Sequence, residues 1–112
     1  MENKMVLLTV IINGGFFEQV MDVAKQNGAR GGTIFNAVGT AGINAEKLYG
    51  ITINPEKEVL FILVTTEVTT QLLEAIYDNF GPETDAQGIA FTMPIEETTS
   101  NLTKQYRKPK NH

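Results

Sequence analysis

Two continuous apolar runs constrain the fold of this chain most strongly. They occupy residues 5–12 and 58–64, and both are rich in β-branched side chains. Runs of this length and composition predict buried strands. Apolar residues fill both alternating positions in each run, whereas an antiparallel sheet with one face in water would alternate. We therefore expect both faces of the sheet to be covered.

A helical pattern follows each of these runs. Apolar residues recur with helical spacing over residues 16–27, which Gly28 ends, and over residues 68–80, which Gly81 ends. Polar residues occupy the remaining positions of both segments. The pattern predicts two amphipathic helices, each with one face for the sheet.

Two further segments predict shorter strands at the sheet edges. Residues 33–38 mix apolar and polar side chains, and residues 89–95 alternate and contain Pro94, which cannot donate to a central ladder. The order is then β-α-β-β-α-β, the ferredoxin-like arrangement. This predicts an α+β fold, with a four-stranded antiparallel sheet and two helices on one face. Since the helices cover only one face, we expect copies of the same chain to cover the other.

Composition narrows the function. The 112 residues predict one domain, 1–112, with no Cys for a thiolate site or nucleophile. The net charge of −4 argues against nucleic-acid binding. His112 is the only histidine, and Glu83 and Asp85 are interpreted as turn residues, so we predict no catalytic residues, no metal site and no enzyme activity. No secretory pattern opens the chain, which favours a cytoplasmic location.

The segment 28–42 is rich in glycine and contains Arg30. Glycine lets the backbone approach a ligand, and successive N–H groups can form a concave anion site. One interpretation is that Arg30 and the glycines meet at a single corner to bind phosphate. The alternative is a helix cap and a turn into a strand, which needs little beyond Gly28. Neither phosphate-loop fingerprint is present.

A long connection and a polar tail complete the chain. Residues 39–55 are rich in Gly, Asn and Thr, and a connection of this length is usually functional or disordered; the alternative is a hairpin without a ligand. Residues 96–112 are polar, and Lys104, Arg107 and Lys108 make them locally basic.

The ferredoxin-like order, the long connection 39–55 and the Gly/Asp-containing turn 81–88 together resemble the PII signal-transduction family, over residues 5–95. The resemblance implies a homotrimer whose sheets pack inward, with ATP or ADP in the clefts between subunits. It makes residues 39–55 a T-loop and residues 81–88 a B-loop. It also makes the C-terminal segment part of the neighbouring site.

The resemblance also implies the site residues. The nucleotide-binding residues would be Arg30, Gly31, Gly32, Thr33, Gly39, Thr40, Leu63, Gly81, Gln87, Gly88, Lys104, Arg107 and Lys108. The partner-contact residues in the loop would be Ile43, Leu48 and Tyr49, unless these fold back onto the protein itself. The turn 81–88 lacks the lysine usual in the family, so Arg30 and the tail cations are expected to supply the positive charge.

The predicted function is therefore a PII-like regulator. ATP or ADP, with or without Mg, would act as effectors, and the loop would relay their binding to a membrane transporter or an enzyme. The alternative is a trimeric ferredoxin-like interaction module without nucleotide, or a sensor of a cyclic dinucleotide, bicarbonate or a metal.

Overall fold

The computed structural model describes residues 4–40, 47–48, 51–52 and 56–99. The elements in chain order are β1 (Met5–Asn13), α1 (Phe17–Gln26), β2 (Thr33–Val38), β3 (Lys47–Leu48), β4 (Ile51–Thr52), β5 (Glu56–Thr65), α2 (Thr66–Phe80) and β6 (Ile89–Pro94). All four predicted strands and both predicted helices are present. The short strands β3 and β4 pair within the connection 39–55, where a hairpin was one of the two interpretations. Their bounds were not predicted, because two-residue strands carry no period that a sequence pattern could show.

The main sheet is antiparallel, with strand order β2-β5-β1-β6. The two apolar runs thus form the central strands, and the two mixed segments form the edges, as the sequence predicted. The edge position of β6 is consistent with Pro94, its last residue, which has no N–H to donate to a neighbouring strand. The ferredoxin-like fold class is confirmed.

Even-numbered side chains of the central strands form the core with the two helices. Leu8, Val10, Ile12, Leu60, Ile62 and Val64 are buried in one cluster with Val20, Met21 and Ala24 of α1 and Leu72, Ile76 and Phe80 of α2. Successive residues of a strand point to opposite faces, so this parity assigns the odd-numbered residues to the other face.

That other face, which we call the open face, is apolar, and no helix of the described residues covers it. Its exposed large side chains are Phe35, Phe61, Leu63, Ile89, Phe91 and Met93, each between 38% and 57% accessible. The rings of Phe35 and Phe61 meet edge to face with centroids 5.0 Å apart. The prediction that apolar residues line both faces is confirmed.

Gly28 ends α1 as predicted. Its φ of +108° is a left-handed conformation that glycine adopts without strain. A Cβ there would also lie 2.8 Å from Cγ1 of Val68 on α2. At this end of the glycine-rich segment, the helix-cap interpretation is the one that describes the structure.

Candidate functional site

Strand β2 divides the glycine-rich segment. Arg30, Gly31 and Gly32 precede the strand, and Gly39 and Thr40 follow it. Five steps of an extended strand, at about 3.3 Å each, separate its ends by ~17 Å. The prediction that Arg30, Gly31 and Gly32 meet Gly39 at one corner is therefore wrong within one subunit, because the residues between them are extended.

The antiparallel register places the predicted site residues at two opposite ends of the sheet. At one end, β1 and β2 terminate where β5 and β6 begin, which brings together Asn13, Gly39, Lys57 and the turn 81–88. We call this the Asn13 end. At the opposite end, which we call the Thr33 end, β2 begins. The predicted site residues are thus divided between the two ends of one subunit.

Asn13 is the best connected side chain of the Asn13 end. Lys57 Nζ donates to Asn13 Oδ1 at 2.6 Å, and Asn13 Nδ2 donates to the carbonyl oxygen of Asp85 at 2.9 Å. The backbone N–H of Asn13 donates to the carbonyl of Ala86, also at 2.9 Å. An ammonium can only donate and a carbonyl can only accept, so both partners require the same orientation of the amide.

A cleft of about 600 Å³ lies beside this group. It is lined by Asn13, Gly14, Gly15, Asn36, Ala37, Val38, Glu56, Lys57 and Glu58. Among these residues Lys57 is the only cation. Its side chain passes under Gly39, where an added Cβ would lie 2.9 Å from Cε of Lys57. The start of the connection 39–55 therefore packs against the Lys57 side chain.

The turn 81–88 is closed by its own backbone. The N–H of Thr84 donates to the carbonyl of Gly81, and the N–H of Gly88 donates to the carbonyl of Phe80 at 2.7 Å. A Cβ on Gly88 would collide with that carbonyl oxygen. Gly88 is thus required for this close backbone contact. The sequence predicted Gly88 as a nucleotide-binding residue, and the structure gives it a role in closing the turn.

The tip of the turn has two features relevant to a ligand. Its backbone hydrogen bonds use neither the N–H of Asp85 nor that of Ala86. The exposed Gln87 has a φ of +48°, in the left-handed region that costs a non-glycine residue about 1 kcal/mol. Backbone strain of this kind is concentrated at functional sites.

The Thr33 end presents Arg30, Gly31 and Thr33 to solvent. Gly32 approaches the core closely, since an added Cβ would lie 3.0 Å from the carbonyl oxygen of Phe61. Leu63 is 40% accessible and belongs to the open face. These predicted residues form one group, separate from Gly39 and the turn.

The remaining predicted residues are not placed. Ile43, Tyr49, Lys104, Arg107 and Lys108 lie outside the described residues. Leu48 is described only as a residue of β3. Their assignments to the nucleotide or to a partner stay predictions.

Sequence reasoning missed Asn13 and Lys57. The sequence pattern assigned no functional role to either residue. The available signal was a cation just before one predicted apolar run and a polar residue just after the other. The register that makes them neighbours became visible only in the sheet.

Two classes of site are not seen in the part of the chain that the structure describes. It contains no group of three His, Cys, Asp or Glu residues that could hold a metal ion. Its helices include none long and apolar enough to cross a membrane.

The family model described as nitrogen regulatory protein P-II matches residues 5–104. A search of curated proteins gives no match. Among solved structures, a PII-like signalling protein from Thermus thermophilus is 22% identical with a TM-score of 0.62, and the match covers 85% of this chain and 91% of that one.

Two other solved structures are similar. CPII, a nitrogen regulatory PII-like protein from Thiomonas intermedia bound to ADP, AMP and bicarbonate, is 22% identical with a TM-score of 0.62, covering 81% of this chain and 89% of that one. The GlnK–ATP complex of B. subtilis is 17% identical with a TM-score of 0.60, covering 83% of this chain and 85% of that one. At these identities the likeness shows the fold.

Proposed function

The chain belongs to the nitrogen regulatory protein P-II family, and on that premise we propose that it is a signalling protein that binds ATP or ADP in clefts between the subunits of a homotrimer. The observation that carries the proposal is the division of the predicted site between the two ends of the sheet. In one subunit the extended strand Thr33–Val38, whose ends are ~17 Å apart, lies between Arg30 and Gly39, so we propose that one phosphate cannot contact both within that subunit. A complete site therefore needs two subunits.

The open face supports the assembly. Six large apolar side chains, including Phe61 and Phe91, are exposed on one side of a single sheet. Exposed apolar patches of this kind mark interaction surfaces. Sheets that pack through this face could bring the Thr33 end of one subunit towards the Asn13 end of its neighbour, which would unite the two halves of the site.

The ammonium of Lys57 supports an anionic ligand at the Asn13 end, in a cleft that Glu56 and Glu58 also line. Lys57 is the only cation among the residues that line the cleft, and the adjacent turn leaves the N–H group of the exposed Asp85 outside its backbone hydrogen bonds. Backbone N–H groups and an ammonium are a recurrent combination for phosphate. In our proposal Lys57 takes the role of the lysine that the turn lacks, and Arg30 of the neighbouring subunit adds a second charge. Lys104, Arg107 and Lys108 remain further proposed contacts.

The similar structures carry ADP and AMP in one case and ATP in another. Those ligands belong to those proteins, and they guide the choice of probes for this one. We propose further that residues 39–55 relay binding to a membrane transporter or an enzyme, with Ile43, Leu48 and Tyr49 as contacts. The absence of enzyme activity and the cytoplasmic location stay predictions.

Isothermal titration calorimetry with ADP and ATP, each with and without Mg²⁺, tests the nucleotide proposal. We expect Arg30→Ala and Lys57→Met each to weaken binding about tenfold or more, because a hydrogen bond to a charged group contributes about 1.5–3 kcal/mol. Lys4→Ala removes a charge from an exposed residue at the start of β1 and should leave the affinity unchanged.

Thermal denaturation with the same nucleotides, with bicarbonate and with cyclic dinucleotides separates the alternatives. Any ligand of the native state raises the melting temperature by mass action. A shift with bicarbonate or a cyclic dinucleotide but none with ATP or ADP would reject the nucleotide proposal in favour of another effector. If no probe shifts the melting temperature, the interaction module becomes the better description.

A further inference from the structure

The Asn13 side chain lies between two segments that are far apart in the chain. Through Oδ1 it accepts from Lys57, 44 residues away, and through Nδ2 it donates to the carbonyl of Asp85, 72 residues away. Both polar atoms of the amide are used. No backbone hydrogen bond joins the region of Lys57 directly to the turn 81–88, so among the described residues Asn13 is the hydrogen-bonded link between them.

Each partner of Asn13 belongs to a segment that the proposed site uses. Lys57 supports Gly39, where the long connection begins, and pairs with Ala37 of β2 in the register of the sheet. Asp85 lies in the turn 81–88, which we propose contacts the ligand. A displacement of Lys57 would therefore shift the amide of Asn13, and a shift of the amide would displace the backbone of residues 81–88.

We propose that Asn13 is a positioning residue that couples Lys57, at the base of the connection 39–55, to the turn 81–88. An ammonium has three donors, of which Asn13 takes one, and two remain for an oxyanion. An oxyanion on Lys57 then leaves the lysine–asparagine bond in place and restrains the ammonium. The restraint passes through Asn13 to the turn, and a ligand on the turn restrains Lys57 by the same amount, because coupling between sites is reciprocal.

The identity of the oxyanion rests on the proposed function, but the coupling itself does not. A nucleotide phosphate or a free inorganic phosphate would meet Lys57 with the same chemistry. The coupling can therefore be measured first in the protein without ligand, and only afterwards with ADP and with inorganic phosphate as separate probes.

Three variants separate the two arms of the amide. Asn13→Ala removes both side-chain hydrogen bonds and keeps the backbone bond to Ala86. Asn13→Asp keeps an acceptor for Lys57 but loses the donor to Asp85 and places a carboxylate against its carbonyl oxygen. Lys57→Met removes the ammonium and leaves the donor to Asp85 intact.

Hydrogen exchange of full-length protein without ligand measures the coupling. The reporters are the amides of Thr84, Gln87 and Gly88, all of which are hydrogen-bonded within the turn. We expect Asn13→Ala and Asn13→Asp to speed their exchange about fivefold, the effect of losing one net hydrogen bond. Lys57→Met should also speed it, by a smaller factor, although Lys57 does not contact these amides.

The Lys57→Met variant decides between the two roles. If Asn13 only stabilises the turn, replacing Lys57 leaves the exchange of the turn amides unchanged. Unchanged exchange at Gln87 and Gly88 in Lys57→Met would overturn the coupling. So would equal effects of Lys57→Met in the wild-type and Asn13→Ala backgrounds, since coupled groups are not additive. Asn79→Ala removes an asparagine side-chain bond at the end of α2, and Lys25→Met removes an exposed lysine of α1; both should leave the turn unchanged.

The amides of β1 and β5 report whether each variant still folds. If Asn13→Ala loses this protection, Lys57→Met and Asn13→Asp still decide the matter. With saturating ADP, the wild-type turn should exchange more slowly and the Asn13→Ala turn should respond less. A wild-type protein that binds no ADP would reject the proposed nucleotide but would leave the ligand-free result standing.

Discussion

At the scale of single residues, Thr9 has a buried hydroxyl that the subunit does not satisfy within its described residues. Among the described residues it is the one buried polar side chain, at 3% accessibility, and its hydroxyl has no hydrogen-bond partner. Its cross-strand partners are Phe61 and Phe91, which places it on the open face. Buried hydroxyls in native proteins are almost always paired. A partner from outside the subunit would satisfy it.

We therefore expect Thr9→Val to destabilise the assembled protein by about 1 kcal/mol, because the isosteric valine loses a hydrogen bond made across the interface. Thermal denaturation at a fixed protein concentration measures the change. Thr9→Ser keeps the hydroxyl and loses one methyl group, and it serves as the comparison. A higher melting temperature for Thr9→Val would show that the hydroxyl stays unpaired in the native assembly.

At the scale of secondary structure, α1 depends on a neighbouring strand for its cap. Phe16, at the N-cap, provides no side-chain hydrogen bond. Instead Oε1 of Glu58 on β5 accepts from the N–H of Phe16 at 3.2 Å and of Phe17 at 3.1 Å. The carboxylate thus satisfies two of the free donors at the helix start and also interacts favourably with the helix dipole.

Replacing Glu58 with Ala should lower the free energy of unfolding by about 1–2 kcal/mol, as the loss of a helix cap does. Glu58→Gln should cost less, since an amide oxygen can still accept although the charge is lost. Urea denaturation followed by circular dichroism gives both values. Glu74→Ala, at an exposed position within α2, is the matched control. Equal stability of Glu58→Ala and Glu74→Ala would refute the cap.

At the scale of the whole molecule, the parity of the central strands decides which substitutions test assembly. Leu8 and Leu60 are fully buried beneath the helices, whereas Phe61 and Phe91 are about 40% accessible on the open face. The proposed trimer requires that the open face be covered and the helical face be left as it is. Neighbouring residues on one strand should therefore give opposite kinds of defect.

We expect Phe61→Asp to give folded monomers, because a carboxylate buried in an apolar interface without a partner is costly. Leu60→Asp should instead unfold the subunit. Light scattering gives the mass, and circular dichroism reports the fold. Gln19→Asp introduces the same carboxylate on the exposed surface of α1 and should remain a trimer. A monomer mass for the wild-type protein at micromolar concentration would reject the assembly and the site between subunits.

Several features were predictable from the sequence because they depend on local patterns. Alternation and helical spacing identified the four strands and two helices, Pro94 indicated an edge strand, and Gly28 indicated a helix end. The surplus of apolar residues on the central strands also predicted a second face to be covered. The single corner of glycines around Arg30 was wrong, since the same local pattern does not show how far an extended strand carries its two ends apart.

What the sequence by itself determined is thus the element order, the central and edge strands, and the apolar character of both sheet faces, because periodicity is a property of neighbours along the chain. Only the tertiary structure decided that Asn13 joins Lys57 to Asp85 and that Glu58 caps α1. These contacts span 41 to 72 residues, and they exist because the antiparallel register brings the end of one strand beside the start of another. A one-residue slip in that register would turn these side chains to the opposite face, so no local pattern could have specified them.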